Sequence, residues 1–356
     1  MSRLKEALET GKFGVTAEMA PPKGYDFTEQ LEAGKLLAPK VHAVNVTDMQ
    51  SASLKASSLG LCIALKNAGV EPILQMTGRD RNRMAIMADV LSAASFGIDS
   101  VLALTGDHPV VGDCKAAKPV YDLDSVGILN MLSKMEQTNC DCGGNEIAGG
   151  APKLYKGASV TPVYEPVFLQ INKLRQKVEA GASFVQTQGI FDLDAFKRFL
   201  EQVDAAGIKT HVMAGIIPLK SAGMARYMNE NVPGIAVPQE MIDRLAAAAR
   251  RGQGKGRQGS SDEARHGDGS GNDRKDQGRA SVRRRPHHGN RRGEERPRHP
   301  RPRRYHHLSF PITQKDHPNG MVLYLQNLVE FRHPQMAKSN RNSCYPAALP
   351  PGQDSR

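Results

Sequence analysis

No run of about 18 apolar residues occurs anywhere in the chain, so no segment reads as a membrane-spanning helix. The opening stretch MSRLKEALETGKF is charged and has no apolar core of the kind an export signal needs, and the expected location is the cytoplasm. Cysteine is scarce. Cys62, Cys114, Cys140, Cys142 and Cys344 match no common zinc spacing, and the pair in NCDCGG reads more simply as a loop with two free thiols than as a metal grip. No metal site is therefore expected. A G-x-G-x-x-G fingerprint is also missing after the first strand pattern, which removes the usual signature of a dinucleotide crevice in an open doubly wound sheet.

Charge is present but divided. Residues 1–250 hold 26 Lys and Arg against 27 Asp and Glu, whereas residues 251–356 hold 22 against 10. The formal net charge of +11 thus belongs to the tail, and the pI of 9.4 says nothing about the first 250 residues. Eight of the eleven histidines also lie in the tail, leaving His42, His108 and His211 before it. Two segments follow: residues 1–250, patterned like a folded α/β protein, and residues 251–356, a basic, low-complexity stretch expected to be disordered.

Within the first segment short β-rich runs alternate with helix-spaced apolar residues. The predicted strands are 13–19, 41–47, 71–77, 100–106, 157–161, 184–188 and 210–217. Helical spacing relates Met84, Met87, Leu91 and Ala94, then Phe168, Ile171, Leu174 and Val178, then Leu193, Phe196, Leu200 and Val203. Alternation of this kind implies parallel βα units with right-handed crossovers. Polar groups decide between an open sheet and a barrel. Glu18, Thr47 with Asp48, Gln75 with Thr77, Asp107, and Gln186 with Gln188 all close strands. A (β/α)8 TIM barrel gathers such groups on one rim, so that fold class is expected, with seven units recognisable.

Taken singly, each polar group has a plain structural role open to it. Glu18, before APP, could cap a turn; Asp107, in TGDHP, could bond nearby amides; Gln188 could satisfy buried backbone. Gathered on one rim, a few acids among neutral donors and acceptors suit a hydrogen-bonding heterocycle better than a metal.

Six ordered stretches, TAEMAPPKG, VNVTD, LQMTGRDRNR, LALTGDHP, KLRQKVEAGASFVQTQGIFD and GIIPLKSAGMARYMNENVPGIAVP, resemble the methylenetetrahydrofolate reductase family, anaerobe-type forms above all. The resemblance covers residues 1–250. It implies a barrel holding FAD non-covalently and reducing 5,10-methylenetetrahydrofolate to 5-methyltetrahydrofolate in one-carbon metabolism and methionine biosynthesis, an oxidoreductase acting on a CH–NH group. NADH, NADPH or an electron-transfer partner protein supplies the electrons, and the complete barrel is expected to form a homo-oligomer. On this resemblance Glu18 is the catalytic acid that protonates the folate. Asp107 is a second catalytic residue that also binds substrate beside the flavin, and Gln188 contacts folate and nicotinamide in turn. Thr47, Asp48, Gln75, Thr105, Gly106, Asp107, Tyr121 and Lys177 fall to FAD. Asp48, Gln75 and Thr105 stand where the enterobacterial pattern has tyrosine, histidine and arginine.

The family's last unit contains a strand close to His-Ile-Met-Ala-Ile-Gly, and nothing like it follows Arg250. The tail's one sizeable apolar run, MVLYLQNLVEF (321–331), has the wrong neighbours for that role. Yet PHHGNR (286–291) can be encoded CCA CAT CAT GGC AAT CGG, and moving one nucleotide forward gives His-Ile-Met-Ala-Ile-Gly. The same shift makes family-like helices of residues 266–279 and 295–304. The expectation is an eighth unit missing or out of frame, with residues from about 250 onward translated in the wrong frame, and a chain so shifted is expected to be poorly soluble, to retain flavin weakly and to be a largely non-functional product. Two other readings stay open. One is a bifunctional protein whose basic tail binds nucleic acid, although a tail poor in aromatics would be an electrostatic binder at best. The other is an FAD- or folate-binding barrel active only within a larger complex. The leading reading expects no nucleic-acid partner and no membrane.

Overall fold

The structure, a computed structural model, describes residues 2–232, 234–258 and 322–329. Seven strands run in chain order: β1 (Val15–Met19), β2 (Ala43–Val46), β3 (Pro72–Thr77), β4 (Ser100–Leu104), β5 (Tyr155–Val160), β6 (Phe184–Gly189) and β7 (His211–Ile216). Each lies within two residues of the bounds expected from sequence. Helix α1 (Arg3–Glu9) precedes β1. The strands are then joined by α2 (Thr28–Leu37), α3 (Ser58–Asn67), α4 (Arg83–Ser95), α5 (Ser125–Thr138), α6 (Val167–Glu179) and α7 (Leu193–Ala205), with α8 (Ala222–Asn231) and α9 (Gln239–Gln258) after β7. All pairings are parallel and the sheet closes into a barrel in sequence order.

Closure comes from a strand that sequence reading set aside. Val322–Val329, here β8, pairs with β7 through Met213↔Val322 to Ile216↔Leu325, and with β1 from Val15↔Leu323. The place of the expected missing eighth βα unit is thus taken by a single strand drawn from the 321–331 run. The physical reason is non-local. Without a partner, β1 and β7 would each expose a row of unpaired N–H and C=O groups, and a Val- and Leu-rich segment can satisfy both edges. No helix follows β8 among the described residues. Against the disorder expected of the tail, residues 251–258 continue α9 and 322–329 form β8; the segments 266–279, 286–291 and 295–304 lie outside the described residues.

Alternation along the strands separates two cores. Ala17, Met19, Val44, Val46, Leu74, Met76, Val101, Ala103, Ala158, Val160 and Val185 pack outward against the helices. Inward, Ala43, Ile73, Leu102, Tyr155, Phe184 and Met213 form a separate cluster with Leu4 and Leu8 of α1, which plugs the end where the strands begin. Tyr155 and Phe184 stack at 5.1 Å within it. Gly157 makes room for that pair, since a Cβ there would lie 2.3 Å from the Phe184 ring.

The helix spacing was right but one face was misjudged. On α4 the buried residues are Ile86, Met87, Val90 and Ala93, with Met84 70% exposed, because an Ala- and Met-rich helix carries apolar side chains all round. On α6 Phe168 is exposed beside buried Ile171 and Leu174. Several helices are capped by side chains: Asn82, Asp124, Asp192 and Ser221 accept from Ala85, Gly127, Ala195 and Met224 amides.

Candidate functional site at the strand ends

Above the apolar plug the barrel interior turns polar. Asn45 Nδ2 donates to Thr16 Oγ1 (3.3 Å), and Gln186 Nε2 donates across the barrel to Asn45 Oδ1 (3.1 Å), so β1, β2 and β6 are tied through their inward side chains. Glu18 pairs in register with Asn45, alternates with outward-facing Ala17 and Met19, and is 5% exposed. Its carboxyl thus belongs to the inner wall, near the end of β1. Two buried oxygens in this region, Thr47 Oγ1 and Gln186 Oε1, have no hydrogen-bond partner among the described residues, in a setting where buried polar atoms are normally satisfied.

Thr47 and Asp48 follow β2, but they meet different fates. Asp48 is fully committed to the protein. Its Oδ2 accepts from the Thr77 amide (2.9 Å), Thr77 Oγ1 (2.8 Å) and Arg81 Nη1 (2.6 Å), and its Oδ1 accepts from Ser58 Oγ and Arg81 Nη2 (3.3 Å each). Arg81 is held a second time by Asp89 (2.9 Å). Burial works against the Arg81 charge, and the neighbouring carboxylates Asp48 and Asp89 more than offset it, leaving the guanidinium more firmly protonated than usual. The single Ser58 hydroxyl hydrogen is shared between Asp48 Oδ1 and the nearer Gln75 carbonyl (2.9 Å), which ties the β3 backbone to this cluster.

The loop after β4 carries Thr105, Gly106 and Asp107. Thr105 Oγ1 accepts from the Ser125 amide at the start of α5 (3.2 Å). Gly106 has φ +89°, and a Cβ there would press on Arg79 and Thr77 at 3.0 Å, so the position demands glycine twice over. Asp107 is exposed, in contrast to buried Glu18. Tyr121 reaches back from the same loop: its amide donates to Gly78 O (3.1 Å) and its hydroxyl to Gly106 O (3.2 Å), and its ring stacks on His108. Burial raises the Tyr121 phenol, and the positive Arg79 beside it opposes the rise.

Gln188 lies half-buried on β6, two residues beyond Gln186. Lys177 comes from the helix layer, where Nζ donates to the Ser159 carbonyl of β5 (2.6 Å). Burial, and then the nearby Lys173, lower its amine to about 8, with Asp124 pulling the other way. Sequence reasoning missed Arg79 and Arg81. The alternating charges of RDRNR directly after a strand were the available signal.

A closed parallel barrel whose strands end in buried acid, amide and hydroxyl groups defines the class of barrel proteins that place their ligand sites at the C-terminal strand ends. Comparison with known proteins narrows the class. The chain belongs to the methylenetetrahydrofolate reductase family, whose model matches residues 3–260. Among curated relatives, the 5,10-methylenetetrahydrofolate reductase of Escherichia coli is 24% identical over 241 residues, covering 66% of this chain and 75% of that protein. That of Pectobacterium carotovorum is 26% identical over 215 residues, covering 59% and 66%. A Caenorhabditis elegans protein named probable methylenetetrahydrofolate reductase (NADPH) is 26% identical over 195 residues, 55% of this chain but 26% of its own length. The chain therefore spans only about a quarter of the worm protein and just under two thirds of the Pectobacterium one. A solved Clostridium thermocellum protein, described as binding two copies of 5-methyl-5,6,7,8-tetrahydrofolic acid, superposes with a TM-score of 0.48 at 14% identity, over 68% of this chain and 79% of that one. A likeness that loose carries no functional argument.

Among the described residues no helix is long and apolar enough to cross a membrane, and no group of three or more His, Cys, Asp or Glu could hold a metal ion. Cys140, Cys142 and Cys114 are free thiols.

Proposed function

We propose that the chain is a flavin-dependent reductase converting 5,10-methylenetetrahydrofolate to 5-methyltetrahydrofolate. The observation that carries this reading is the buried carboxyl of Glu18 on the inner wall of a barrel that belongs to this family. In the role the family gives this position, the Glu18 carboxyl hands a proton to the folate ring nitrogen. Asp107, exposed at the next rim loop but two, offers a carboxylate to the amino edge of the pterin, and half-buried Gln188 offers an amide to the same face of the site.

The residues present fit FAD in part. Thr47 Oγ1 is a buried hydroxyl without a partner among the described residues, and Gly106 leaves backbone accessible where a side chain would intrude. Lys177 keeps two amine hydrogens beyond the one given to Ser159 and would face a pyrophosphate. Tyr121, Thr105 and Gln75 complete the wall. When bound, the flavin supplies the hydride. The chain's own residues bind and orient the two ligands and deliver the proton. Asp48 is already held by Thr77, Arg81 and Ser58, and in this proposal it shapes the site without touching the cofactor.

Relatives differ in the donor their names give, NADPH in the worm protein and NADH in an Arabidopsis thaliana protein 25% identical over 244 residues. The donor here is NADH, NADPH or a partner protein. The cytoplasm is the proposed location, with a homo-oligomer as the proposed assembly and no role for nucleic acid. Residues 251–356 are proposed to be out-of-frame translation, in keeping with a family match that stops at residue 260, near where the sequence turns basic. The test of function is direct: the full chain, reconstituted with FAD and reduced by dithionite, should convert methylenetetrahydrofolate to 5-methyltetrahydrofolate, identified chromatographically. Flavin binding with no such product would leave only a carrier.

A further inference from the structure

Arg79 is 2% exposed, yet it is bonded to three separate loops at the strand ends. Its Nη1 donates to the Asp107 carbonyl (3.2 Å) in the loop after β4, and its Nη2 to the Met49 carbonyl (3.3 Å) in the loop after β2. Its Nε and Nη2 grip Asp80 in its own loop, at 3.0 Å to each oxygen and 2.6 Å. Its backbone takes part as well, since the Val120 amide donates to the Arg79 carbonyl (2.7 Å).

The loops so joined are strained. Met49, Ser51 and Ala52 have φ of 45°, 55° and 51°, and Tyr121 has 44°, a region that costs side-chain-bearing residues free energy unless their surroundings hold them there. The loops also touch: a Cβ on Gly112 would lie 1.9 Å from the Ala52 carbonyl oxygen. Burial alone would disfavour the Arg79 charge, but the hydrogen bonds and charges of Asp80, then Asp48 and Asp107, overcome it, so the guanidinium stays charged at its post.

We propose that Arg79 is a positioning residue that sets where the Asp107 carboxylate points, by holding the Asp107 backbone against the strained 49–52 loop. It acts through Asp107 and touches neither ligand. The proposal rests on the reading of Asp107 given above. A lysine cannot replace it, because one ammonium has neither the reach nor the planar fork to serve three loops at once.

Two measurements on the full chain test it. In hydrogen–deuterium exchange of the apoprotein, Arg79→Gln should speed exchange at least tenfold in peptides covering both 49–54 and 105–112, with α7 unchanged. In rapid mixing of the dithionite-reduced flavoprotein with methylenetetrahydrofolate, Arg79→Gln should slow flavin reoxidation at least tenfold, and Arg79→Lys should restore it only in part. That slowing should shrink to under twofold in an Asp107→Asn background, since a residue acting through Asp107 has nothing left to position. If the Arg79 and Asp107 effects multiply independently, or if only one loop loosens, the proposal is overturned. Asp107→Asn reoxidising at the unaltered rate would instead sink the functional reading of Asp107 and, with it, the role given to Arg79.

Discussion

Replacing Asp48 by asparagine separates two roles for this residue, contact with FAD and support of the site. The side chain is fully buried and accepts four hydrogen bonds from Thr77 and Arg81, with a share of the Ser58 hydroxyl hydrogen. Asparagine is nearly the same size but brings an NH2 group, so at least one donor would face another donor. Breaking a buried ion pair by removing one partner costs about 3–5 kcal/mol. Arg81 keeps Asp89, whose side chain is 30% exposed, which places the expected cost at the low end, about 3 kcal/mol. For a domain of this size each kcal/mol moves the melting temperature by about 2–4 °C, so a fall of about 6–12 °C is expected. Circular dichroism melts of the apoprotein, paired with FAD titrations below the transition, give both quantities. FAD affinity should change less than threefold, on the order of half a kcal/mol. A melting temperature within about 2 °C of the parent, together with a large loss of affinity, would refute the reasoning and return Asp48 to the cofactor.

Three further outcomes follow from the same geometry. The Lys177 amine titrates at about 8 and is charged below it, so its attraction for a pyrophosphate should fade as pH rises through about 8; FAD affinity measured from pH 7 to 9 should fall in the parent and stay flat in Lys177→Gln. Gly157→Ala puts a Cβ 2.3 Å from the Phe184 ring, and chemical denaturation should show a loss of about 1–3 kcal/mol from overpacking. For the tail, sequencing the coding DNA should reveal a one-nucleotide change near codon 250 that restores all three family-like segments; their failure to appear together in any frame would remove the frameshift proposal.

The barrel was legible because its information is local. Each strand is a short β-rich run, most end on a polar residue, and the helices between them repeat at their own period, so seven strands could be placed to within two residues. Helix α4 was harder, since its Ala and Met residues surround the axis and Met84 looks as apolar as Ile86. What sequence could not show is long-range closure. The run at 322–329 earns its place only by lying between β7 and β1. The site followed the same rule. Glu18, Thr47 and Gln188 announce themselves at strand ends, whereas Arg79 is tied to carbonyls 28 and 30 residues away that leave no trace in composition. Asp48 was correctly placed on the rim, but its commitment to five donors is a property of the folded loops.

The central claim is that Glu18 is the acid of a flavin-dependent folate reductase, and one pair of half-reactions tests it most directly. Flavin reduction by NADH or dithionite, and its reoxidation by methylenetetrahydrofolate, should be timed separately in the parent and in Glu18→Gln. The account predicts unchanged reduction and reoxidation slowed by about 10²–10⁴, the usual worth of a positioned proton donor. Equal reoxidation in the two proteins, or loss of both half-reactions together, would contradict it.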